Sequence, residues 1–131
     1  KIYLCGITPI PSAIGGATGQ APSKIAKTAL GAEKSISWEY YKQALRLLKK
    51  LQATGVQIVV LEQTPRSIDY RKFKPKFPMA LIVGNEVRGI NKKILSYANK
   101  IVEIPMYGKK ESLNVAVATG IALYQLSEKR R

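Results

Sequence analysis

A turn in the second half of the sequence carries side chains that could take part in chemistry. Asn85, Glu86 and Arg88 lie between Gly84 and Gly89, directly after an apolar run. An ordinary strand-to-helix turn in which Asn85 bonds to its own backbone would explain this pattern equally well. The glycine spacing does not match a dinucleotide-binding fingerprint. The turn alone is therefore weak evidence for a site.

A second polar segment, formed by Ser112, Leu113 and Asn114, precedes a long apolar stretch. Serine is one of the residues that most often cap the N-terminus of a helix. Taken alone, Ser112 is sufficiently explained as the N-cap of a helix that begins there.

Basic residues cluster between positions 66 and 76 and alternate with aromatic ones. Cations attract phosphates, and aromatic rings offer surfaces on which unpaired bases stack, so the pattern favours RNA binding. The alternative is a solvated loop whose aromatic rings pack into the core. The cluster contains Arg66, Arg71, Lys72, Lys74 and Lys76, with Tyr70 and Phe73 between them and Phe77 directly after.

Composition excludes several classes of catalyst. The 131 residues contain no histidine, which rules out imidazole bases and histidine-bound zinc. Cys5 is the only cysteine, so an internal disulfide and a cysteine-rich metal site are excluded, and a reducing, cytoplasmic location is expected. The 22 Lys and Arg residues against 8 Asp and Glu give a charge of +14, which indicates an anionic partner. No run is apolar for long enough to span a membrane.

Strand and helix patterns alternate along the chain, which predicts one α/β domain over residues 1–131 with a mostly parallel sheet. Ligands in such sheets bind beyond the carboxyl ends of the strands, so the segments that follow the strands should line one edge. The segment 64–78 is expected to be a loop. Strands are predicted at residues 2–6, 56–61, 79–84 and 101–104, and helices at 22–30, 38–53, 91–98 and 112–127.

The last predicted helix is apolar on nearly every side, so it must be buried on every side. One sheet face cannot cover all of it, and a second subunit is expected to cover the remainder. The alternative is a central core helix in a monomer.

Taken together, the C-terminal segments resemble the conserved motifs of the SpoU/TrmH family of RNA ribose 2′-O-methyltransferases, which belong to the SPOUT superfamily. The order and spacing of the three segments match: ALIVGNEVRGI at 80–90, IPM at 104–106 and SLNVAVATGI at 112–121. Segments YLCGITP at 3–9, KTALGA at 27–32 and LEQ at 61–63 also resemble the family, so the likeness covers essentially the whole chain.

This resemblance implies a SPOUT-type sheet with helices on both faces, a deep trefoil knot in the C-terminal part, and a homodimer that pairs through the knot region and the last helix. It also implies bound S-adenosylmethionine. Carried over by position, the cofactor contacts are Leu61, Gln63, Gly84, Ile104, Met106 and Leu113, and the catalytic positions are Glu86, Ser112 and Asn114.

The implied reaction is an in-line attack by a ribose 2′-hydroxyl of tRNA or rRNA on an activated methyl group, without a metal. The family's first motif, which carries an Asn and an Arg, lies before the strand at residues 2–6, so truncation at the N-terminus is expected. Two alternatives remain at this point: a catalytically inactive RNA-binding module of the same fold, and a flavodoxin-like protein that binds small molecules.

Overall fold

The computed structural model describes residues 1–6, 8, 32–84 and 89–130. The chain divides into two compact units, Lys1–Leu47 and Leu48–Arg131, which we describe separately. The helix predicted at 22–30 lies outside the described residues.

In the first unit, two strands pair in parallel. Strand β1 (Ile2–Cys5) lies beside β2 (Trp38–Tyr41), with Ile2 opposite Trp38, and a short helical turn, α1 (Ala32–Ser35), precedes β2. The ion pair between Lys1 and Glu39 joins the start of β1 to β2.

The helix predicted from residue 38 is therefore wrong in its first part, because α2 spans only Ala44–Ala53. Trp38, Tyr40 and Tyr41 are aromatic residues that favour strands, and pairing with β1 stabilises that choice. The helical spacing of apolar residues holds from Ala44 onward, where Leu47 and Leu48 are buried.

In the second unit, the described strands form a four-stranded parallel sheet in the order β4-β6-β3-β5. These strands are β3 (Gln57–Leu61), β4 (Ile68–Asp69), β5 (Met79–Ile82) and β6 (Lys100–Glu103). Strand β3 is central, and Ile58, Val59 and Val60 are fully buried, as a continuous apolar run predicts for a covered strand. The prediction of a parallel α/β sheet is confirmed.

The segment 64–78 is not entirely a loop, since β4 lies within it and pairs with β6. Two residues are too few to leave a periodic signal in the sequence, which is why the strand escaped prediction.

Besides the part of α2 from Leu48 onward, two helices are described in this unit. Helix α3 (Lys92–Leu95) is shorter than predicted and begins after Asn91, whose side chain accepts from Lys93 N at 2.8 Å. Helix α4 spans Val115–Glu128. In the core, Leu126 of α4 packs with Val59, Phe73 and Val102.

Among the described residues, none of the helices is both long and apolar enough to cross a bilayer.

Candidate functional site

A cavity of about 550 Å³ lies where the parallel strands of the second unit end. Parallel strands bring their carboxyl ends to one edge of a sheet, so residues that follow β3, β5 and β6 meet there. The start of α4 closes another part of the wall through Val115 and Ala118. The volume falls in the usual range for small-molecule sites, about 300–1,000 Å³.

Seven of the residues singled out from the sequence line this one cavity. They come from four separate segments of the chain and meet only through the fold. These residues are Leu61, Gln63, Gly84, Ile104, Met106, Ser112 and Leu113.

At Gly84 the backbone passes too close to its neighbours for a side chain. A Cβ there would collide with the Ile90 side chain and lie 3.3 Å from the backbone carbonyl carbon of Gly89. The glycine therefore lets the two ends of the turn approach each other at the cavity wall.

Glu86 and Asn85 lie outside the described residues. The ends of their turn, Gly84 and Gly89, both line the cavity.

Glu62 is a cavity residue that reasoning from the sequence did not single out. Its Oε2 accepts from Ile90 N at 2.9 Å, and its Oε1 accepts from Gln63 N at 3.1 Å. Gly89 has a φ of +62°, and a Cβ on it would lie 2.8 Å from Glu62 Oε2. The carboxylate at the end of β3 thus holds the far end of the 84–89 turn. In the sequence, Gly89 is a local signal for this contact, since glycine readily adopts a positive φ.

At the start of α4, Asn114 and not Ser112 is the N-cap. Asn114 Oδ1 accepts from Ala116 N at 3.0 Å and from Val117 N at 3.4 Å. The interpretation of Ser112 as N-cap is wrong because the helix begins three residues later, at Val115. Ser112 instead lines the cavity.

Acidic groups outnumber basic ones in the cavity wall, although the chain as a whole carries +14. Among the described lining residues, the charged ones are Glu62, Glu103, Glu111 and Lys92. Glu103 also accepts a hydrogen bond from Ser67 Oγ. A wall of this charge suits a positively charged ligand, while phosphates are attracted to the surrounding surface.

The basic cluster at 66–76 is only partly what the sequence suggested. Arg66, Lys72 and Lys74 are exposed, so they are open to an anionic partner. Phe73 is buried in the core, and Tyr70 packs against it, so these two rings are not stacking surfaces. For Tyr70 and Phe73, the alternative interpretation, in which the aromatic rings of the segment pack into the core, is correct. Phe77 is 42% exposed.

Arg71 is held within the protein. Its Nε lies 3.0 Å from each carboxylate oxygen of Asp69, and its Nη2 donates to Asp69 Oδ2 at 2.6 Å. These hydrogen bonds from Arg71 lower the pKa of Asp69 to about 2, and the same contact raises the pKa of Arg71. Much of the positive charge of Arg71 is therefore balanced locally.

Comparison with known proteins identifies related sequences. The family model described as "SpoU rRNA Methylase family" matches residues 14–124. A tRNA (guanosine(18)-2′-O)-methyltransferase of Aquifex aeolicus is 37% identical over 100 residues, which cover 76% of this chain and 47% of that protein. A 23S rRNA (guanosine-2′-O-)-methyltransferase RlmB of Ralstonia nicotianae is 32% identical over 107 residues, 81% of this chain and 42% of that protein.

Solved structures agree with the fold. An AdoMet-bound rRNA methyltransferase from Sinorhizobium meliloti superposes with a TM-score of 0.81 at 27% identity, covering 96% of this chain and 44% of that one. The chain thus spans less than half the length of these three relatives.

Proposed function

The chain belongs to the SpoU rRNA methylase family, and from that membership we propose that it is an RNA 2′-O-ribose methyltransferase that uses S-adenosylmethionine. The observation that carries the proposal is the single cavity that gathers Leu61, Gln63, Gly84, Ile104, Met106 and Leu113, the six positions that the family resemblance assigns to the cofactor. Membership also removes the flavodoxin-like alternative.

The cavity fits the cofactor in size and charge. Its volume of about 550 Å³ suits a nucleoside-sized ligand. S-adenosylmethionine, when bound, supplies a methyl group on a positively charged sulfonium, and the carboxylates of Glu62, Glu103 and Glu111 in the wall favour such a charge. Ile104, Met106 and Leu113 supply apolar surface for the adenosine part.

The residues of the chain have two tasks in this reaction. They align the ribose hydroxyl with the methyl group, and they assist removal of the proton of that hydroxyl. Ser112 lines the cavity, and its proposed role is to help hold the reacting groups. Asn114 keeps that segment in position by capping α4. Glu86 is proposed to order the turn at 84–89. No metal is needed, because the methyl donor is already activated by its positive charge.

RNA, as tRNA or rRNA, is the proposed substrate. The exposed side chains of Arg66, Lys72 and Lys74 and the overall charge of +14 support an RNA-facing surface. Arg71 is kept in that surface, but its contribution to RNA binding is expected to be smaller, since Asp69 balances its charge. A cytoplasmic location is proposed from this RNA substrate.

A homodimer is proposed from the surface of α4. Residues at a spacing of three and four along the helix leave an apolar face open in the single chain: Val117 is 52% exposed, Ile121 37% and Tyr124 72%. The opposite stripe, Val115, Ala118, Ala122 and Leu126, faces the cavity and the core. A second copy of the chain would cover the open face.

The deep trefoil knot and a single catalytic core over residues 1–131 stay predictions from the resemblance.

The proposed function is tested by calorimetry with S-adenosylmethionine and S-adenosylhomocysteine, followed by transfer of labelled methyl to bulk tRNA and rRNA. We expect both ligands to bind, and labelled RNA to yield 2′-O-methylated nucleosides on digestion. Absence of binding by both ligands contradicts the proposal. Binding of both ligands without transfer to any RNA, even after the upstream segment that carries the first motif has been restored, favours the alternative, an inactive RNA-binding module.

A further inference from the structure

Tyr107 is the most exposed large hydrophobic residue among those described, at 84%. It follows Met106, which lines the cavity, and belongs to the segment that leaves the carboxyl end of β6. The backbone of Tyr107 therefore adjoins a residue of the cavity wall, and its ring is open to solvent. Single exposed aromatics are common on protein surfaces, so exposure alone assigns no role.

The second observation is that the exposed ring is fixed at its tip. Arg71 Nη2 donates to the Tyr107 hydroxyl oxygen at 3.0 Å, and Asp69 at the end of β4 holds that same guanidinium. A tyrosine anchored at both its backbone and its hydroxyl loses little conformational entropy when another ring packs on it. The hydrogen bonds that link Asp69, Arg71 and Tyr107 thus hold the tyrosine ring in place as a flat apolar surface.

Several lysines lie close to Tyr107 in the chain or contact the segment of its partner Arg71. Lys72 follows Arg71, and Lys129 Nζ donates to the carbonyl oxygens of Arg71 at 2.6 Å and Phe73 at 2.7 Å. Lys109 and Lys110 follow two and three residues after Tyr107 and are exposed. Lysine is depleted in protein–protein interfaces, whereas an aromatic ring among lysines is typical of surfaces that bind single-stranded nucleic acid.

We propose that Tyr107 is a base-stacking residue: an unpaired base of the RNA substrate, next to the nucleotide that reacts, stacks on its ring. The inference rests on the proposed function. It moves the stacking surface from the aromatic residues of the 66–76 cluster to a residue outside it. It also gives Arg71 a positioning role, in which it orients Tyr107 for the RNA.

The test measures binding of labelled single-stranded oligoadenylate and of labelled bulk tRNA to the full chain and its variants. Stacking on an aromatic side chain makes a large contribution per base, so Tyr107→Ala should weaken binding by at least about fivefold. Tyr107→Phe keeps the ring and loses the anchor, so its loss should be smaller. The matched control is Phe77→Ala, which removes an exposed ring that precedes β5, away from the carboxyl end of β6, and should bind like the wild type.

Salt dependence separates stacking from charge. The slope of log K against log salt should be unchanged in Tyr107→Ala and shallower in Lys72→Ala, since only the lysine neutralises phosphate.

Wild-type binding by Tyr107→Ala overturns the inference, and so does an equal loss in Phe77→Ala. A changed oligomeric state of Tyr107→Ala in light scattering, with RNA affinity intact, also overturns it and assigns the ring to a protein interface. If the wild type binds neither RNA, the proposed function falls together with this inference; if the wild type binds and Tyr107→Ala is unaltered, only this inference falls.

Discussion

Glu62 connects two strands of the candidate site through one side chain. Its carboxylate extends from the end of β3 and accepts from the backbone of Ile90, which lies beyond the turn that follows β5. Ile90 is half-buried, and an amide that loses its acceptor in such a place costs about 1–3 kcal/mol. The position of Ile90, and of Gly89 before it, therefore depends on Glu62.

We expect Glu62→Ala to weaken binding of S-adenosylhomocysteine about tenfold, since a loss of about 1.4 kcal/mol lies within the cost of an unpaired amide. Hydrogen exchange at the Ile90 amide should also accelerate. Glu62→Gln should retain most of the affinity, because its amide oxygen can still accept from Ile90 N. Calorimetry and NMR exchange measure the two effects.

Glu128→Ala, which removes an exposed carboxylate from the end of α4, is the matched control and should change neither quantity. Gly89→Ala perturbs the same contact from the other side, since its Cβ would lie 2.8 Å from the Glu62 carboxylate. Unchanged exchange at Ile90 in Glu62→Ala would show that the carboxylate does not hold the turn.

At the scale of the element, α4 combines three tasks along one helix. Its first turn closes the cavity through Val115 and Ala118, its second half packs into the core through Ala122 and Leu126, and its opposite face is open. Because the same rigid helix does all three, the geometry of its N-terminus affects the site directly. Asn114 sets that geometry by accepting two backbone N–H groups.

Replacement of Asn114 and of Ser112 should show which of the two residues caps the N-terminus of α4. We expect Asn114→Ala to lower the free energy of unfolding by about 1 kcal/mol, and Asn114→Ser to lower it by only a few tenths, since serine also caps. Ser112→Ala should be nearly neutral for stability. Denaturant unfolding monitored by circular dichroism measures all three. A cost for Ser112→Ala as large as that for Asn114→Ala would place the cap at Ser112 after all.

At the scale of the whole molecule, charge and apolar surface are distributed unevenly. A chain with +14 keeps three glutamates in the wall of its cavity, and the open face of α4 is apolar. An exposed apolar stripe is costly in water and is stabilised when a second copy covers it.

We expect the wild type to sediment as a dimer, and Val117→Asp to sediment as a monomer or to raise the dissociation constant of the dimer at least about tenfold. A buried unpaired charge is strongly unfavourable, whereas the same charge on an exposed first turn of a helix is not. Ser127→Asp, which adds the same charge at an exposed polar position of α4, should leave the dimer intact. A wild type that is monomeric at all accessible concentrations would contradict the proposal.

Several features were determined by the sequence alone. The apolar runs that became β3, β5 and β6 predicted a parallel sheet, because only residues buried on both faces can be apolar without interruption. Parallel strands end at one edge, so the segments after them had to meet, and seven of the residues singled out there do line one cavity. Charge and composition also come directly from the sequence.

Only the tertiary structure decided which side chains find partners. The contact of Glu62 with Ile90 spans 28 residues, and the one between Arg71 and Tyr107 spans 36. Periodicity describes neighbours along one element, so it could not place Phe73 in the core or the N-cap of α4 at Asn114 instead of Ser112. Such contacts depend on distances between strands and loops far apart in the chain, and these exist only once the sheet has formed.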